Sequence, residues 1–95
     1  MFLDYFLNPK RWWSSKSKEL RTYLEHIEER LEHCQKLLNM QKANKHNEQV
    51  FNDYIGLLSG YKEQMQKVTR KSYKVFETNL HELKYQVMSL ERALE

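Results

Sequence analysis

Residues 20–38 read LRTYLEHIEERLEHCQKLL, and the spacing of their apolar positions decides the fold. Leu20, Leu24, Ile27, Leu31, Cys34 and Leu38 step by 4, 3, 4, 3 and 4. That rhythm keeps one apolar stripe of an α-helix turned toward one neighbouring helix, which is coiled-coil spacing. Counting back seven places from Leu20 lands on Trp13, so the stripe reaches toward the N-terminal side. Glu25, Glu28, Glu29, Glu32 and Lys36 fall off the stripe, and Glu32 with Lys36 forms a favourable i,i+4 pair. Ser14 or Ser15 can cap the first turn of this helix.

The stripe stops in residues 41–49, QKANKHNEQ, where Ala43 is the one apolar residue. This polar stretch reads as a reversal, with Asn44 or Asn47 placed to cap the helix that follows. Downstream, Tyr54, Leu58, Tyr61, Met65 and Val68 step by 4, 3, 4 and 3. Val68, Ser72, Phe76 and Leu80 then step by four three times, before Leu83, Val87, Leu90 and Leu94 restore the alternation. The run of fours exceeds 3.6 residues per turn, so a left-handed supercoil is expected to relax or reverse around Ser72–Leu80. Gly56 and Gly60 offer a rival bend, but the unbroken spacing across Gly60 argues for a continuous helix. The expected fold is therefore all-α: an antiparallel, coiled-coil-like helical hairpin. Helix 1 spans 15–42, a polar turn 42–48 and helix 2 48–95, and hairpins pair into a four-helix bundle.

Composition agrees. The 95 residues include two glycines and one proline, too few turn formers for a β-sandwich or barrel. No apolar run approaches the length of a membrane-spanning helix. A single cysteine, Cys34, excludes an internal disulfide and a cysteine-based zinc cluster. It falls on the stripe and reads as a small buried hydrophobe. His26 and His33 share a helix face, but position 30 is Arg, so the Glu-x-x-His spacing of di-iron bundles is missing. No nucleophile motif, phosphate loop or dinucleotide fingerprint occurs. Neither an enzyme nor a bound cofactor or metal is expected.

Residues 1–14, MFLDYFLNPKRWWS, form an aromatic arm broken by Asn8-Pro9. The arm lacks the basic start and long apolar centre of a secretory signal. The arm is expected to fold back onto the helices; Phe2, Leu3, Phe6, Trp12 and Trp13 beside Lys10 and Arg11 also suit a bilayer boundary or a partner-docking arm. Two basic runs stand out, Lys10–Arg21 and Lys62–Lys74, but acids interleave with them and a nucleic-acid partner is not favoured.

One hairpin seam buries about a dozen apolar residues, short of what ordering such a chain requires. Tyr23, Leu37, Met40, Val50, Phe51, Ile55, Leu57, Tyr73, Val75, Tyr85 and Met88 lie off the seam and widen the apolar surface. The expectation is association with another helical chain or with a second copy. Phe51, Tyr54, Ile55, Leu58 and Met65 form the expected contact set, beside Gly56 and Gly60, where close helix approach is permitted.

Size, composition and hairpin pattern resemble the WXG family of small helical proteins that are partners or substrates of type VII secretion. They also resemble the small helical proteins that accompany LXG toxins. Leu58-Ser59-Gly60 has the L-x-G form, and Tyr73-Lys74-Val75-Phe76-Glu77 has the letters of the family's Tyr-x-x-x-Asp/Glu export signal. Trp-x-Gly itself is absent, since the tryptophans are Trp12 and Trp13. The resemblance therefore implies an accessory, chaperone-like partner of a secreted toxin's helical domain, cytoplasmic or exported with it. The competing expectation is a peripheral membrane-associated coiled coil anchored by the aromatic arm.

Overall fold

The computed structural model describes residues 9–41 and 44–95. They form three helices: α1 (Pro9–Met40), α2 (Lys45–Met65) and α3 (Tyr73–Leu94). No strand occurs among the described residues. Each helix packs against the other two, and α1 contacts α3 most extensively.

α1 begins at Pro9 rather than near residue 15. Proline suits a first helical position, because its ring fixes φ near the helical value and its missing N–H would have no partner there. Trp12 and Trp13 thus belong to α1, not to a separate arm. Phe2, Leu3 and Phe6 lie outside the described residues. Along α1 the seam is buried as spaced: Leu20, Leu24, Ile27, Leu31 and Cys34 are all in the core.

Asn44, in extended geometry, caps α2 by accepting a hydrogen bond from the Asn47 backbone N–H at 3.2 Å. Lys42 and Ala43, within the expected 42–48 turn, lie outside the described residues. Gly56 and Gly60 are interior to α2.

The expected continuous helix over 48–95 is interrupted at residues 66–72. The reason lies in the run of fours. At about 100° per residue, each step of four rotates the apolar position by about 40°, so Val68 to Leu80 turns the stripe by about 120°. A straight helix would carry Phe76 and Leu80 away from the neighbour that Leu58 and Met65 face. The chain breaks and re-aims instead. Local hydrogen bonds hold the break: the Thr69 N–H donates to Ser72 Oγ (3.0 Å), the Lys71 N–H to Thr69 Oγ1 (3.3 Å) and the Ser72 N–H to the Thr69 carbonyl (3.0 Å). Side-chain oxygens here compete with the helical ladder, as Ser and Thr commonly do.

After the break, α3 lies beside α1 and runs in the same direction. The paired residues advance together along both helices: Lys16 with Glu77, Tyr23 with His81, Arg30 with Glu91, and the Gln41 amide with the Leu94 carbonyl. Phe76, Leu80, Leu83, Val87, Leu90 and Leu94 complete the core with the α1 seam and with Phe51, Leu58 and Met65 of α2. The molecule is elongated, 55 × 23 × 15 Å, which matches an α1 of about 48 Å at 1.5 Å per residue.

Candidate functional site

The residues expected to meet a partner divide by helix face. Phe51, Leu58 and Met65 repeat every seven positions and point into the chain's own core, at 7%, 4% and 5% exposure. Intramolecular burial has used nearly all of their surface, and Phe51 and Leu58 keep only an edge toward a partner. Tyr54 is half-buried against the same core. Ile55 is off that line and remains 41% exposed, and Leu57, absent from the expected set, is 43% exposed. Spacing alone favoured Leu58 over Leu57 because Leu58 sits on the seam; a seam position is the one that the chain's own helices claim first.

Ile55 opens into a groove between α1 and α2 of about 540 Å³. Leu31, Phe51, Ile55 and Leu58 supply its apolar lining, and Glu28, Glu32, Lys36 and Lys62 its charged lining. Lys62 and Glu28 form an ion pair between α2 and α1. Further round α2 lies a second open concavity bounded by Asp53, Gly56, Leu57, Gly60, Tyr61 and Gln64. A Cβ placed at Gly56 or at Gly60 would meet no atom within 4 Å. Among the described residues no packing therefore requires glycine at these positions, where each costs a helix about 1 kcal/mol relative to alanine.

The first turns of α1 contribute Trp12 and Trp13 to a ring cluster with Tyr73, at centroid distances of 5.3 and 5.9 Å. Tyr73 and Glu77, the two specified letters of the Tyr-x-x-x-Glu match, are thereby both engaged within the molecule: Glu77 pairs with Lys16 at 2.5 Å. Leu58 and Gly60 of the L-x-G match lie within α2, not at a bend.

One polar site was not legible in the sequence. Glu91 is buried at 7% exposure, and its carboxylate accepts from Arg30 Nη1 at 3.1 Å and meets His33 Nδ1 at 2.7 Å. Position 91 adjoins the seam residue Leu90, and nothing local distinguishes it from the solvated glutamates of α1. Its partners are about sixty residues away. Ligand atoms of His33, Glu91 and Glu95 lie within 4.8 Å of one another. The Arg30 guanidinium already supplies the cation that the buried carboxylate needs, so the geometry is that of a charge-assisted hydrogen-bond cluster joining α1 to α3.

Cys34 lies in the core beside this cluster, and its thiol is directed at the Val87 carbonyl at 3.9 Å. Burial, reinforced by the negative charge of Glu91 and Glu95, pushes the thiol up to about 11. It is held as the neutral thiol at neutral pH, whereas a nucleophilic cysteine needs thiolate character and access.

Comparison with protein-family models, with curated proteins and with solved structures finds no match for this chain.

Proposed function

We propose that the chain is a non-catalytic helical adaptor whose groove between α1 and α2 receives one helix of a partner. The three helices and the received helix would make a four-helix bundle, with the groove as the fourth seat. The observation that carries this reading is the groove itself: an apolar lining of Leu31, Phe51, Ile55 and Leu58 between helices, with acids and bases on its walls. That is the arrangement an amphipathic helix enters, apolar face inward and charges at the edges. Gly56 and Gly60 support it from the adjoining face of α2, where glycine costs stability without serving the chain's own packing. The resemblance to accessory proteins of LXG toxins, carried by size, helical composition and Leu58-Ser59-Gly60, makes a toxin's helical segment the partner class to try first. A second copy of this chain is the simplest alternative occupant.

The test uses Ile55→Glu, which places a charge in the groove at a position 41% exposed and so leaves the core intact. Sedimentation of the purified chain, alone and with the helical domain of an LXG-type toxin, reads the assembly. The proposal expects a complex that Ile55→Glu abolishes while helix content is unchanged. A chain that stays monomeric at every concentration and binds no such domain overturns it.

A further inference from the structure

The two basic runs, far apart in sequence, meet at one end of the molecule. Because α1 and α3 run in the same direction, the start of α1 lies beside the start of α3 and the 66–72 connection that leads into it. The Trp12–Tyr73 ring contact at 5.3 Å and the Lys16–Glu77 ion pair at 2.5 Å fix this juxtaposition. Within residues 9–19 and 66–77 there are eight Lys/Arg and two acids, Glu19 and Glu77, a net +6 in a chain whose total is +3. The rest of the chain is therefore net −3, and the molecule is polarised along its length.

Both acids of these two segments are turned to Lys16, which contacts Glu77 and, at 3.5 Å, Glu19. Lys10, Lys18, Lys67, Arg70, Lys71 and Lys74 are exposed and make no ion pair among the described residues. The Thr69–Ser72 hydrogen bonds order the connection that carries Arg70 and Lys71, so little backbone freedom remains to be lost on docking. Trp12 and Trp13 stand among these cations, each half-exposed with one side on the Tyr73 cluster.

We propose that this pole docks on the surface of an anionic lipid bilayer. Basic residues near such a surface each contribute to attraction, and tryptophan is the side chain that settles at the headgroup boundary. Phosphate attraction alone would account for the lysines of a nucleic-acid site but not for a tryptophan pair set among them. The pole does not include the α1–α2 groove, so this inference stands or falls separately from the adaptor reading.

Trp12 and Trp13 are the two tryptophans of the chain and report directly on the pole. The experiment titrates the full chain with phosphatidylcholine vesicles, with and without phosphatidylserine, and reads tryptophan emission and co-sedimentation. Expected are a blue shift and co-sedimentation with the phosphatidylserine vesicles only, both weakened by raising salt. The triple reversal Lys67→Glu, Arg70→Glu, Lys71→Glu, on the exposed connection, is expected to weaken binding about 100-fold. The reversal of three distant charges, Lys36→Glu, Lys45→Glu, Arg92→Glu, gives the same net charge and is expected to weaken it far less. Circular dichroism checks that both variants keep their helices. No phosphatidylserine-dependent shift, equal loss in the two variants, or displacement from vesicles by a short DNA duplex at equimolar phosphate would each overturn the proposal.

Discussion

The seam of α1 from Leu20 to Leu38 and the series from Val68 to Leu80 both step by helical intervals, yet one makes a straight helix and the other spans a break. Eighteen residues at about 100° each close on a whole number of turns, so Leu38 faces the direction of Leu20. Twelve residues in steps of four leave Leu80 rotated by about 120° from Val68. The first stripe keeps one neighbour throughout; the second cannot. A shift in the phase of a pattern is a structural event, and here it costs the helix seven residues, 66–72.

The largest expected effect tests the straight seam. Leu31→Ala removes a side chain that is 1% exposed and should cost ~2–5 kcal/mol in denaturant unfolding. A loss under ~1 kcal/mol would mean that the stripe does not face the core as described.

Proline separates the two regions more sharply. Leu57→Pro, inside α2, should cost ~3 kcal/mol or more through a lost hydrogen bond and a ring clash. Arg70→Pro, in the break, should cost far less by the same measurement. Equal losses would show that the helical ladder runs through 66–72 after all.

Cys34 sharpens the picture of the core in a different way. Its thiol should react with an aromatic disulfide reagent much more slowly in the native chain than in denaturant. Its proton is held more tightly folded than unfolded, about 11 against 9.0. The folded state is thus favoured fully below pH 9 and loses that contribution as pH rises through about 11. Cys34→Ala should flatten this alkaline loss; an unchanged alkaline limb would assign the loss to other groups.

The smallest effect concerns α2's outer face. Gly56→Ala and Gly60→Ala meet no atom within 4 Å, so each should stabilise the isolated chain by up to ~1 kcal/mol. If the glycines serve partner approach, the same changes should weaken the complex while strengthening the monomer. A stabilised chain with undiminished partner binding would remove them from the interface.

Much of this was legible in the sequence because it is local. The α1 seam, the capping role open to Asn44 and the absence of strands follow from spacing and turn chemistry within a few residues. The run of fours was visible too, but its steps can be absorbed either by unwinding a supercoil or by breaking the helix, and Thr69 and Ser72 decide between them only once they can bond each other. What could not be read is what the break creates. Bringing α3 alongside α1 pairs Glu91 with Arg30 and His33, gathers Lys10–Lys18 with Lys67–Lys74, and commits Phe51, Leu58 and Met65 to the core. Of the expected contact set, Ile55 and the two glycines remain outside the core, and the exposed Leu57 beside them was missed because it lies off the seam.

The return of α3 to the side of α1 underlies the buried carboxylate and the basic pole alike. The most direct test is a pulsed electron paramagnetic resonance distance between nitroxides at Asn39→Cys and Arg92→Cys in a Cys34→Ala background. Both positions are exposed, and the nearby Gln41 amide contacts the Leu94 carbonyl. The fold described here predicts about 20 Å, two adjacent helices plus the label linkers. An unbroken second helix would carry residue 92 away from the turn and give about 70 Å at 1.5 Å per residue, and that result would contradict it.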